Sequence, residues 1–217
     1  MFWKKSEMCL ATSIEPSRLM VMHRLGVFLP LVLFSLVGGC AHRVDMPSSG
    51  NEKTSRFLLV DYGYGSHLVL PRENGGAVLY SYGEWAWFAE NRDSWYRVFP
   101  VLFWPTQGTL GRQEWPGLNG LELYRRENPT LRMWELSAPR ERIAALVARL
   151  DSEFQATTER PHYNARYGLD FVKWGPRYHF LNNCNHLTVK WLEELGLEVS
   201  GSSPFSIWIP SIKPPEG

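Results

Sequence analysis

Along this chain the apolar positions change period, and each period predicts a different element. Leu25–Gly39 is apolar almost without interruption. From Arg56 onward the apolar residues come in short β-type runs, Phe57–Val60, His67–Leu70 and Gly76–Tyr82, parted by turn signals at Gly63, Gly65 and Asn74-Gly75-Gly76. The Trp-rich stretch Glu84–Tyr96 predicts a short helix. Residues 99–120 carry Pro100, Pro105, Gly108, Gly111, Pro116, Gly117 and Gly120, a composition that predicts a long loop of the lid or binding type. Leu121–Tyr124 and Thr130–Leu136 predict two further strands.

Helical spacing then takes over. Ile143, Leu146, Val147, Leu150 and Phe154 share one face of a helix over Ser137–Phe154, with Ser137 as N-cap and Pro139 in the first turn. Residues 157–177 read as a polar, aromatic loop and Tyr178–Leu181 as a strand. In Asn183–Leu195, Leu187, Trp191, Leu192 and Leu195 again recur at helical spacing, with Asn182 or Asn183 as the cap and Gly196 as the stop. The tail from Ser203 is rich in Pro and reads as irregular. Strands, a helix, then a strand and a helix define the α+β class.

The first apolar run is about 15 residues long, short of the roughly 20 that span a bilayer and suited to the core of an export signal. His23 and Arg24 precede it, and Val37, Gly38 and Gly39 lead into Cys40. That ending resembles the lipobox at which bacterial lipoproteins are acylated on Cys and cleaved before it. Residues 1–39 are accordingly expected to be a signal peptide, with 1–19 lying upstream of a start at Met20 or Met22. Cys40 is the expected lipidation site and membrane anchor. Ala41 after it lacks the Asp typical of inner-membrane retention, which implies the periplasmic face of the outer membrane. Residues 40–55 then form a flexible tether, 56–202 the folded domain and 203–217 the tail.

Composition narrows the function without naming it. With 44% hydrophobic and 21% charged residues, the chain can bury a full core. A net charge of +1 provides no field that would gather nucleic acid. Three Cys are too few for a disulfide scaffold. Cys9 falls in the leader and Cys40 carries lipid, so Cys184 is the one free thiol of the mature protein. A lone thiol in an oxidising compartment is either buried and inert or kept for reactivity.

Cys184 opens the terminal helix, where unpaired N–H groups and the helix dipole favour a thiolate and can hold an oxyanion. A nucleophilic Cys needs a base. His67, His179 and His186 are the candidates, ahead of His162 and His42. His186 lies two residues on, pointing about 200° away around the helix. His67, which opens an apolar strand, is preferred. A metal set of Cys184, His186 and His179 lacks a second Cys or carboxylate at ligand spacing, so no metal and no cofactor is expected. Trp85, Trp87, Trp95, Trp104 and Trp115 either build the core or line a groove for glycan or lipid.

The stretches GYGSHLVLP, LYSYGEW, SAPRERIAALVARLDSEF and YHFLNNCNHLTVKWLEELG together resemble a bacterial family of unknown function, sometimes labelled urease-associated. The resemblance covers most of 57–200. This order, His on an early strand and Cys at a late helix start, in turn resembles circularly permuted papain-like proteins, among them NlpC-type cell-wall peptidases and lecithin–retinol acyltransferases. It implies a papain-like α+β fold with an antiparallel sheet packed on helices, Cys184 as nucleophile and His67 as base. The third group that orients the base in such enzymes falls on Ser81 or Glu84, and Tyr178 is placed to assist the oxyanion. A cell-wall peptide or an acyl group is the implied substrate. The alternative is a non-catalytic envelope lipoprotein that binds a partner or glycan through its aromatic loops.

Overall fold

The computed structural model describes residues 41–46, 53–63, 65–94, 104–157, 159–201, 203 and 205–211. The chain divides into two units, Met1–Gly39 and Cys40–Gly217. The expected signal peptide and lipidated Cys40 lie outside the described residues, as does Trp95. No described helix is long and apolar enough to cross a membrane.

The protein is a mixed α+β structure. A seven-stranded sheet has the order β6 (Arg132–Pro139), β2 (Thr54–Asp61), β3 (Ser66–Pro71), β4 (Ala77–Glu84), β5 (Gly108–Trp115), β8 (Leu169–Lys173) and β7 (His162–Asn164). Every neighbouring pair in it is antiparallel. Four helices are described: α1 (Trp85–Phe88), α2 (Gly120–Glu127), α3 (Arg140–Gln155) and α4 (Cys184–Glu194). A smaller sheet joins β1 (His42–Asp45), parallel to β10 (Trp208–Pro210) and antiparallel to β9 (Glu198–Ser200).

Strand alternation divides the core in two. Phe57, Leu59, Leu68, Leu70, Val78 and Tyr80 point to one face, where Ile143, Leu146, Leu150 and Phe154 of α3 and Leu187, Trp191 and Leu192 of α4 close over them. Leu58, Val60, Val69, Leu79 and Phe171 point to the other, against Tyr124 of α2 and Trp115. Both long helices bury the faces their spacing predicts.

Several expectations are corrected. The stretch 99–120 is not all loop: β5 occupies the middle of the sheet. Its glycines sit where neighbours fill the space of a side chain, since a Cβ on Gly111 would lie 2.5 Å from Ser81 Oγ and 2.6 Å from the Phe171 ring. A glycine that reads as a loop signal thus marks a close approach within a strand. Leu121–Tyr124 is helical, in α2, because so short an apolar run suits either period. Ser137 and Pro139 do not start the helix; they pair with β2 as far as Thr54↔Pro139, and α3 begins at Arg140. The 157–177 stretch holds β7 and β8, and Tyr178–Leu181 forms isolated bridges only. The tether and tail readings are modified as well. Residues 42–45 and 208–210 are strands, with His42, Val44 and Trp208 buried.

Candidate active site

Cys184 is the first residue of α4. Asn183 caps the helix, its side-chain oxygen accepting from Asn185 N at 3.0 Å and His186 N at 3.2 Å. The start of β3 is bolted to the same turn: Ser66 Oγ donates to Asn185 Oδ1 at 2.9 Å and lies 3.1 Å from Thr188 Oγ1. These bonds are buried, and they fix the sulfur beside Gly65. A Cβ on Gly65 would stand 2.5 Å from Cys184 Sγ and 2.6 Å from the Tyr62 hydroxyl. Only glycine leaves room there for the thiol and the phenol together.

His67 lies one residue into β3 and faces away from α4. The register aligns Val60, His67, Ser81, Gly111 and Phe171 in a row across five strands. Ser81 is therefore the cross-strand neighbour of His67. The hydrogen bond to the imidazole comes from elsewhere: the Tyr124 hydroxyl lies 2.8 Å from His67 Nε2. Glu84 is buried at the end of β4, and its Oε2 accepts from Trp87 N at 2.6 Å as the N-cap of α1. The register places Glu84 outside the His67–Ser81 row.

Cys184 and His67 line one cavity of about 890 Å³, and Tyr62 belongs to both residues. The Tyr62 ring stacks on the imidazole, with centroids 5.3 Å apart and planes 21° apart. Its hydroxyl hydrogen-bonds with the Cys184 sulfur. The Tyr178 hydroxyl also meets the sulfur, together with the backbone N–H groups of Ser66 and Asn185.

Burial sets the protonation states. It pushes the Cys184 thiol up, against the pull of the Tyr178 hydroxyl and the backbone N–H groups. The thiolate expected at a helix N-terminus is thus outweighed by desolvation. Burial likewise lowers His67 to about 3. Desolvation raises the phenols of Tyr62, Tyr178 and Tyr124. Burial thus disfavours charge on both the thiol and the imidazole.

The other histidines are placed away from this cavity wall. His186 Nδ1 lies 2.9 Å from Asn183 Oδ1, and its ring meets His42 edge-on at 6.5 Å. His42 stacks on Trp208 at 4.6 Å. His179 Nδ1 accepts from Leu181 N, and His162 sits against the Trp85 ring. Among the described residues no group of three or more His, Cys, Asp or Glu is placed to hold a metal ion.

Sequence reasoning missed Tyr62 and Tyr124. Tyr62 stands in a glycine-punctuated turn that carries no periodic pattern, and Tyr124 lies in a short apolar run that also reads as a strand. A signal existed for Tyr124, because Leu121 and Tyr124 are three residues apart as on a helical face. Comparison with protein-family models, curated proteins and solved structures finds no match.

Proposed function

We propose that this chain is an envelope lipoprotein enzyme, anchored by lipid on Cys40 at the periplasmic face of the outer membrane, with a circularly permuted papain-like domain that performs acyl transfer or amide hydrolysis. One observation carries the catalytic part: Cys184 and His67 line one cavity, and Tyr62 contacts both.

In this reading His67 acts as general base and the proton leaves the thiol during attack. Tyr124 holds Nε2, so Nδ1 is the nitrogen through which His67 takes the proton. Tyr124 thus fills the orienting role that the family pattern gave to Ser81 or Glu84. The sulfur adds to the substrate carbonyl, and the S–C bond forms as the proton passes to His67. The C–O or C–N bond then breaks, and His67 returns the proton to the departing alcohol or amine. Water or another acceptor attacks the thioester, gives its proton to His67, and releases the acyl product as the thiol is restored. In this reading the N–H groups of Ser66 and Asn185 and the Tyr178 hydroxyl, which meet the sulfur, hold the charge that develops on the oxygen.

The test is acylation of Cys184 by activated esters, read by peptide mass spectrometry. A thioester on Cys184 is expected, with a rate lowered about 10²- to 10⁴-fold by His67→Ala. A rate indifferent to His67 would overturn the catalytic reading. It would favour the non-catalytic binding protein, a reading that gains from the raised thiol and the tethered imidazole.

A further inference from the structure

The chain enters the folded domain at the same end of the small sheet that carries an exposed apolar row. β1 begins at His42, so Ala41 alone separates it from Cys40. Two residues reach about 7 Å at full extension. An anchor in residues 1–40, whether lipid on Cys40 or the apolar run Leu25–Gly39, therefore holds the start of β1 within that distance of a bilayer surface. β10 runs parallel beside β1, and His42 N donates to Ile207 O at 2.7 Å, which sets Ile207 level with Ala41.

Trp208 is buried, and Ile207 and Ile209 on either side of it are 45% and 49% exposed, so strand alternation turns both outward. Phe205 precedes them at 62%. No other described segment exposes three large apolar side chains, and clusters of this kind mark interaction surfaces. Charge along the same face agrees with a lipid partner. Arg43, exposed in register with Ile209, can lay its stem along the apolar row and extend its guanidinium to a phosphate. The acids Asp45 and Glu198, in register with each other, lie at the far end of β1, away from the anchor.

We infer that Phe205, Ile207 and Ile209 form a membrane-docking surface, which enters the headgroup–acyl boundary of the bilayer in which residues 1–40 anchor the chain. That the anchor is a lipid on Cys40 rests on the reading above; the docking requires only an anchor that ends before Ala41. The surface also bears on the candidate site. Ser206 Oγ donates to Gly65 O at 3.3 Å, and Gly65 lies against the Cys184 sulfur. The turn beside the thiol thus adjoins the membrane-facing row.

The test uses the product of the full-length gene, purified from membranes in its anchored form. It is reconstituted in phosphatidylethanolamine–phosphatidylglycerol vesicles that carry a phospholipid with a diazirine on its acyl chain. Irradiation and peptide mapping are expected to place label on 205–209 at least tenfold above Leu118 and Tyr163, which are at least as exposed but lie on other elements. Ile207→Asp with Ile209→Asp is expected to lower that label at least tenfold. Ile207→Thr with Ile209→Thr, which keeps the β-branched shape, serves where the charged pair does not fold. A Cys40→Ser chain that retains residues 1–39 separates docking from lipidation. Label at 205–209 in that chain supports the docking surface even where mass spectrometry finds no lipid on the unaltered Cys40, the outcome that would sink lipid anchoring alone. Equal label on Leu118 and Tyr163, or none on 205–209, would overturn the inference. Crosslinking of 205–209 to a second copy of the chain in place of lipid would overturn it as well.

Discussion

On one face of the seven-stranded sheet, Leu59, Leu68 and Tyr80 are sealed under a 16-residue and an 11-residue helix. On the other, Val60, His67, Leu79 and Ser81 come from the same strands but lie under the eight-residue α2 and the four-residue α1. The sealed face is further pinned by charge. Asp151 of α3 receives Arg72 at 2.8 Å, Arg112 at 3.0 Å and the Tyr80 hydroxyl at 2.6 Å. On this second face the strands are buried too, but His67, Leu79, Ser81 and Tyr124 also line the cavity. A sealed face and a cavity-lined face thus arise from one alternating pattern.

The strongest way to break this comparison is to hollow each face in turn. Leu68→Ala on the sealed face is expected to cost about 4 kcal/mol, and Leu79→Ala, buried but bordering the cavity, about 2 kcal/mol, because its surroundings can relax into that space. Urea denaturation measures both; equal losses would mean that the two faces are packed alike. Gly65→Ala, where the faces meet, drives a methyl group into the thiol and the Tyr62 hydroxyl. A loss of about 2 kcal/mol is expected, with altered alkylation of Cys184 by iodoacetamide.

Protonation sharpens the contrast further. His67 is lowered to about 3 from its usual 6.5, so between those values the unfolded chain binds the extra proton. Stability is therefore expected to fall as pH drops from 6.5 towards 3, and His67→Phe to flatten that slope in urea titrations. A pH dependence unchanged by the substitution would remove His67 from the buried set. The smallest expected effect belongs to Tyr178→Phe. Its hydroxyl favours the thiolate, so its loss is expected to raise the Cys184 pKa by less than about one unit, the value of a single hydrogen bond. The pH profile of iodoacetamide alkylation reads that shift.

The sequence by itself determined the α+β class, the early strands, the buried faces of both long helices and the helix start at Asn183-Cys184. These are local matters, since a period of two or 3.6 is written in neighbouring residues and a cap acts on the next turn. It also singled out His67 and Cys184, whose types and positions are unusual for their surroundings. What it misassigned depends on distant partners. Gly108 and Gly111 read as loop until their neighbours are seen to press on them, and 42–45 and 208–210 become strands by pairing with each other and, for 42–45, with 198–200. The hydrogen bond of Tyr124 to His67 and the bridging position of Tyr62 were decided by tertiary structure alone. A hydroxyl 2.8 Å from an imidazole 57 residues away leaves no trace in the pattern along the chain, because that proximity is created by the folding of the sheet and the crossing of α2 above it.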